Sequence, residues 1–190
     1  MMRIFVSTIT IVWLASLTAC SNAVSVNYYQ LNASQALTVN NEVTKPIYIQ
    51  PVQVASYLNS KSIVMQMSEV ELVLARQHLW AEPLYQQIQR QLANNLDATS
   101  HSYSVVLQPS NEAIQLTVYI EQFHGTAKGH ALIKGRFSLK QTETNITQHH
   151  FAYQLPLEAD GYAALIYSLS QGLEFLAADI LQQLPSLGAD

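Results

Sequence analysis

The sequence predicts an α+β fold, a two-layer sandwich in which a mostly antiparallel sheet ending in a three-stranded meander is covered on one face by two amphipathic helices. Three observations carry this reading. Segments 114–120, 131–139 and 151–157 alternate apolar and polar residues with a period of two, the mark of strands with one buried face. Residues 81–96 and the stretch after Asp160 instead repeat apolar residues every three or four positions, the mark of helices with one apolar stripe. Finally, 190 residues of which 49% are hydrophobic and only 12% charged can bury a core, and at about 150 residues per domain they make one domain.

The first element along the chain is an address. Residues 1–19 read as a signal peptide, with a basic start at Arg3, an apolar run from Ile4 to Leu14 and then small residues. The run falls short of the roughly 20 residues a membrane-spanning helix needs. Leu17-Thr18-Ala19-Cys20 matches the bacterial lipobox, and the match falls on the only cysteine, at the foot of the apolar run. Cys20 is therefore expected to become the mature N-terminus and to carry a covalent diacylglycerol and an N-acyl chain. At about 0.8 kcal/mol per buried methylene, several chains make a permanent anchor. Ser21, rather than Asp, at the sorting position predicts the periplasm-facing outer membrane of a Gram-negative bacterium. Residues 20–27 form a tether, and from Cys20 to Tyr28 it reaches at most ~30 Å. The lone cysteine excludes an intramolecular disulfide and a thiolate zinc cluster.

Residues 28–190 form the body. Tyr28–Leu31 is a short first strand. Ile47–Val54 is a second, whose apolar parity switches across Pro51 from Ile47 and Ile49 to Val52 and Val54, as a bulge or edge position would require. Tyr57 to Ser60 is a turn, and Ile63–Met67 and Glu71–Leu74 are short strands. Ala81–Leu96 is a helix with Leu84, Ile88, Leu92 and Leu96 on one face and Pro83 in its first turn. Tyr103–Leu107 returns to strand. Ile114, Leu116, Val118 and Ile120 then alternate with Gln115, Thr117, Tyr119 and Glu121, and a loop at Gly125–Gly129 leads into the alternating strands through Leu139 and Leu157. Asp160 is the expected N-cap of a last helix carrying Leu165, Leu169, Leu173, Leu176, Ile180 and Leu184, which Pro185 and Gly188 end.

Composition narrows the chemistry. A formal net charge of -4 lacks the basic excess that phosphate backbones demand, so no nucleic-acid partner is expected. His149 and His150 are consecutive on a strand and point to opposite faces, and His124 and His130 flank a hairpin on opposite parities, so no metal site is expected. No G-x-S-x-G and no glycine-rich phosphate loop occurs, and no enzyme activity is expected. The sequons at Asn32 and Asn145 are incidental behind a bacterial lipobox.

Several strings carry a resemblance: Tyr28-Tyr29-Gln30-Leu31, Pro51-Val52-Gln53-Val54 with Tyr57-Leu58 and Ile63-Val64, Trp80-Ala81-Glu82-Pro83-Leu84, Phe123-His124-Gly125, and Gly161-Tyr162-Ala163-Ala164-Leu165. Together with the layout they resemble, over essentially the whole mature chain, the ABC-type transport auxiliary lipoprotein family, also called the PqiC family. The family often has an Arg soon after the Ile-Val pair, where this chain has Met65-Gln66-Met67. The resemblance implies an outer-membrane lipoprotein that works with a mammalian-cell-entry (MCE) domain protein and an inner-membrane transporter subunit in moving lipid across the periplasm. It also implies a homo-oligomeric ring docked on the MCE protein's tube.

Two readings of function stand side by side: a non-enzymatic docking and assembly subunit that maintains membrane integrity, or a carrier holding an acyl chain between sheet and helices. For docking, Tyr57, Trp80 and Pro83 are either a partner surface or lids on the core. Tyr119 and Phe123, opposite in parity to Leu116, Val118 and Ile120, are expected to project from the uncovered sheet face as further interface residues.

Overall fold

A computed structural model describes residues 25–32 and 44–185. The predicted leader, Cys20, Ser21 and most of the tether, together with Gly188, lie outside the described residues. Along the chain, β1 is Asn27–Tyr29, β2 Lys45–Ile49, β3 Gln53–Val54, β4 Ser62–Gln66, β5 Leu72–Trp80, helix α1 Leu84–Thr99, β6 Tyr103–Val106, β7 Ile114–Thr126, β8 His130–Lys140, β9 Ile146–Pro156 and helix α2 Tyr162–Gln182. A 3-10 turn, Ser56–Asn59, links β3 to β4.

The class is the predicted one, with the long ladders antiparallel. β7 pairs with β8 along its length and β8 with β9, which makes the C-terminal meander. The other edge of β7 takes three short strands in succession, all parallel: β2 with Ile47 opposite Ile114, β3 with Val54 opposite Ile120, and β4 with Gln66 opposite Thr126. Outside these lie β6, parallel to β2, then β5, antiparallel to β4, and finally β1, parallel to β5. The expected single strand 47–54 is two strands, because Pro51 has no N–H to give the ladder. Its neighbours keep the chain on β7, with Gln50 N donating to Leu116 O and Ala55 N to Ile120 O. β5 runs on to Trp80, well past the expected end at Leu74.

The helices lie on one face. α2 packs on β7, β8 and β9, and α1 packs on α2 and β6. The predicted stripes, Leu84, Ile88, Leu92 and Leu96 on α1 and Leu165, Leu169, Leu173, Leu176 and Ile180 on α2, are all buried against sheet residues such as Ile47, Leu116, Ile133 and Leu139. By length and composition α2 would span a bilayer, yet it is a core helix. Its close seat depends on Gly172, where a Cβ would lie 2.6 Å from Ile133 Cδ1. Asp160 is not the cap of α2. Gly161 takes that position with φ of 100°, a conformation open to glycine, and no side chain caps the helix.

One expectation fails inside β7. Alternation holds from Ile114 to Ile120, but the β7–β8 register shifts between Ile120 and Gln122, leaving Glu121 as an extra residue. Past this bulge the parity inverts. Phe123 therefore turns inward, 1% exposed, with its ring 6.3 Å from that of Trp80, and does not project from the uncovered face. Gly135 sits opposite Ile120 at the bulge, where a Cβ would meet Tyr119 O at 2.1 Å. His124 is also fully buried; its Nδ1 donates to Gly125 O at 3.1 Å while Nε2 has no partner.

Phe123→Ala is expected to lower stability by about 3–5 kcal/mol and Leu176→Ala by about 2–5 kcal/mol. Phe123→Glu should prevent folding, whereas Gln171→Ala, on the exposed side of α2, should be silent in thermal or urea melts. A folded, normally melting Phe123→Glu protein would contradict the bulge. Burial holds the His124 imidazole below its ordinary value of 6.5, against the opposing pull of the Gly125 hydrogen bond. The unfolded chain then protonates this residue at higher pH than the folded one, so its effect is absent above pH 6.5 and stability falls as pH drops through and below it. Melts taken over this range should show a shallower decline for His124→Leu than for the native chain.

Candidate functional site

The uncovered sheet face is a polar, hydrogen-bonding surface that carries charged groups. Tyr119, Glu121, Lys134 and Arg136 project from it around the bulge. Glu121 accepts from Arg136 at 3.0 Å and lies 3.8 Å from Lys134 Nζ, while the Arg136 guanidinium sits 4.5 Å above the Tyr119 ring. In such exposed pairs each contact is worth about 0–1 kcal/mol, so they set the orientation of Tyr119 more than they stabilise the fold. Tyr119 is the one of the two predicted sheet-face residues that occupies this surface.

The other candidates separate by depth. Tyr57, half-buried on the 3-10 turn, fills the stretch of β7 edge between β3 and β4. Its hydroxyl donates to Glu121 O at 2.8 Å, its ring lies 6.4 Å from that of His124, and burial together with Tyr119 pushes its pKa up to about 12. It is a lid with a polar tip, fixed as a neutral donor. Trp80, at the end of β5, is 2% exposed and belongs to the core. Pro83 is exposed at the start of α1. Tyr57, Trp80 and Pro83 therefore do not form one accessible patch.

α1 carries a second buried stripe, made of polar residues. Gln87, Gln91 and Asn95 recur every four residues and are buried. Gln87 Oε1 accepts from Leu31 N at 2.9 Å and its Nε2 donates to Glu82 O at 2.9 Å; Gln91 Nε2 donates to Ser170 O at 3.4 Å. Ser170 in turn accepts from Asn32 N at 3.0 Å. The stripe ties the chain leaving β1 to both helices. Gln91 Oε1 and both amide atoms of Asn95 have no partner.

His149 stacks on Phe137 at 5.1 Å and His150 is paired across the ladder with Arg136, so the two imidazoles do diverge. Among the described residues no group of three or more His, Cys, Asp or Glu is placed to hold a metal ion.

Two open clefts flank the sheet at opposite ends. One, of about 490 Å³, lies between α1 and the β2–β6 edge, lined by Tyr48, Gln89, Arg90, Ala93, Val105 and Leu107. The other, of about 500 Å³, lies where the β4–β5 turn meets the β7–β8 turn, lined by Met67, Glu69, Lys128, His130, Leu132 and Gln154. Ala127 N donates to Gln66 O at 2.9 Å, holding those two turns together.

The chain is similar to known proteins throughout. It is 29% identical over 189 residues, 98% of this chain and 100% of the relative, to the intermembrane transport lipoprotein PqiC of Escherichia coli K12, and to the same degree to that of Shigella flexneri. A crystal structure of an uncharacterized protein, 28% identical, superposes with a TM-score of 0.76 over 85% of this chain and 99% of that one. A Xanthomonas campestris protein, 15% identical, shares the fold at a TM-score of 0.66, covering 82% and 92% of the two chains. Residues 29–181 match the family described as the ABC-type transport auxiliary lipoprotein component, and the chain belongs to that family.

Proposed function

We propose that the chain is an intermembrane transport lipoprotein of the outer membrane, acylated on Cys20 after removal of residues 1–19 and tethered through residues 20–27. Residues 28–190 then face the periplasm. There they dock, as a homo-oligomer, an MCE-domain protein coupled to an inner-membrane transporter subunit, so that lipid passes between the membranes. The part played is assembly, with no enzymatic step, no nucleic acid and no cofactor beyond the acyl chains. The observation that carries this reading is similarity over 98% of the chain to a relative named for intermembrane transport, joined to a lipobox at the only cysteine.

The packing favours docking over lipid carriage. The layer between sheet and helices is filled by fully buried side chains, among them Ile47, Ile88, Leu92, Leu116, Ile133 and Leu173, and the two larger clefts open on the surface. Tyr119 and Arg136 on the polar face, and Tyr48 and Leu107 beside the α1 cleft, are the accessible residues suited to a protein partner.

Cys20→Ala should leave the membrane fraction, while Ser21→Asp should move to the inner membrane in a host that sorts on that position. Unchanged fractionation of Cys20→Ala in cells lacking the partners would refute the anchor. Affinity purification of the native lipoprotein from membranes is expected to bring down an MCE-domain protein, and mass spectrometry of its solvent extract to show no stoichiometric free lipid. Stoichiometric lipid without an MCE protein would establish the carrier reading instead.

A further inference from the structure

Among the described residues, exposed large apolar side chains gather on the β4–β5 hairpin. Met67, Val70, Leu72, Val73 and Leu74 are all exposed there, Val70 by 96%. The hairpin is well formed, with Val64 opposite Leu74, Gln66 opposite Leu72, and Met67 N donating to Glu71 O at 2.9 Å. Leu72, Val73 and Leu74 are consecutive on one strand, so their side chains leave on alternate faces. A flat protein surface covers one face of such a strand. An apolar fluid covers both.

The direction of the chain says which fluid. β1 runs parallel to β5, with Asn27 opposite His78 and Tyr29 opposite Trp80, so the polypeptide reaches Asn27 from the Leu72 end of β5. Six residues separate Leu72 from His78, about 20 Å of strand at ~3.3 Å each. Seven residues separate Cys20 from Asn27, at most about 24 Å of chain. An acyl anchor on Cys20 therefore has the length to reach the level of Leu72, just behind the hairpin tip, and exposed Val26 lies on the same approach.

We infer that the β4–β5 hairpin is a second membrane contact: Met67, Val70 and Leu72 enter the interfacial region of the phospholipid leaflet that holds the Cys20 acyl chains. The inference deepens the proposed function and rests on its anchor. Glu69 and Glu71 flank Val70 and are exposed, which keeps the entry shallow, with both carboxylates at the headgroups. Lys128 and His130, on the cleft the hairpin shares with the β7–β8 turn, face the same headgroup layer. With acyl chains at one point and the hairpin at another, the body is held in a fixed orientation, its α1 cleft turned toward the periplasm.

The mature lipoprotein has no free thiol once Cys20 is acylated, so Val70→Cys can be labelled singly with an environment-sensitive NBD dye. Thr144→Cys, exposed in the β8–β9 turn level with the start of β7, serves as control. Both labelled proteins are reconstituted into vesicles of phosphatidylcholine and phosphatidylethanolamine, with or without a phospholipid carrying a doxyl quencher near the headgroup. The Val70 probe should shift to the blue in vesicles and lose at least half its emission to the quencher lipid, with the Thr144 probe unchanged. Equal behaviour of the two probes would overturn the inference while leaving the anchor intact. A blue shift quenched by a labelled second copy but not by the lipid would overturn it in favour of a protein neighbour. Protein that fails to float with the vesicles would remove the anchor, and the inference with it.

Discussion

The molecule is hung on one strand. β7 gives its whole length on one side to β8 and divides the other among β2, β3 and β4, so that residues from 45 to 66 are in place only because β7 offers them three successive stretches of edge. A strand paired on both sides cannot change register without displacing every neighbour. The helices add to this constraint, since α2 seats on β7, β8 and β9 and α1 on α2. Fixing β7 therefore fixes the polar face around Tyr119, the α1 cleft and the hairpin tip relative to one another, which is what the proposed docking role requires of its scaffold.

The bulge at Glu121 is where this strand changes its face. It lets the N-terminal half of β7 supply Leu116, Val118 and Ile120 to the core and the C-terminal half supply Phe123, with Gly135 leaving room opposite. The Tyr57 turn closes the edge beside it, hydrogen-bonded to the carbonyl of the bulged residue itself. The same residue's carboxylate gathers Lys134 and Arg136 on the outer face. One insertion thus creates both a core position and a charged cluster.

Most of the fold was legible because period-two and period-four patterns are local. The meander, both helices and the class follow from Ile114–Ile120, Ala131–Leu139, Leu84–Leu96 and Leu165–Ile180 alone. What was not legible depended on partners distant in sequence. The parallel seats of β1 to β4 on strands some fifty or more residues away leave no local mark, and Ala75-Arg76-Gln77-His78 does not alternate in a way that extends β5. The Gln87, Gln91 and Asn95 stripe is polar by composition and buried only because α2 and Leu31 cover it. Phe123 was misplaced because a bulge breaks the arithmetic of alternation without altering composition, although Gly135 across the ladder is the kind of residue that accompanies one. The family was carried by short strings, Trp80 to Leu84 foremost, whereas the proposed roles of Cys20 and Ser21 rest on a pattern that the export machinery would read and that leaves no trace in the fold.

α2 has a further bearing on the history of each molecule. With a mean hydropathy of 1.2 over its best window, it is only just apolar enough to be taken for a membrane span. A chain exported as proposed must pass this segment through a translocation channel that opens sideways to lipid, and each polar residue in the segment weakens its partition into the bilayer. Ser168 and Ser170 are buried in the folded protein, where they donate to Pro156 O at 3.2 Å and Ile166 O at 2.9 Å, and Glu174 and Asp179 add charge to the segment further on. Hydrogen-bonded serines cost the finished core little, whereas leucines in their place would overpack it, leave Asn32 N without its acceptor, and favour a segment that stops halfway across the inner membrane.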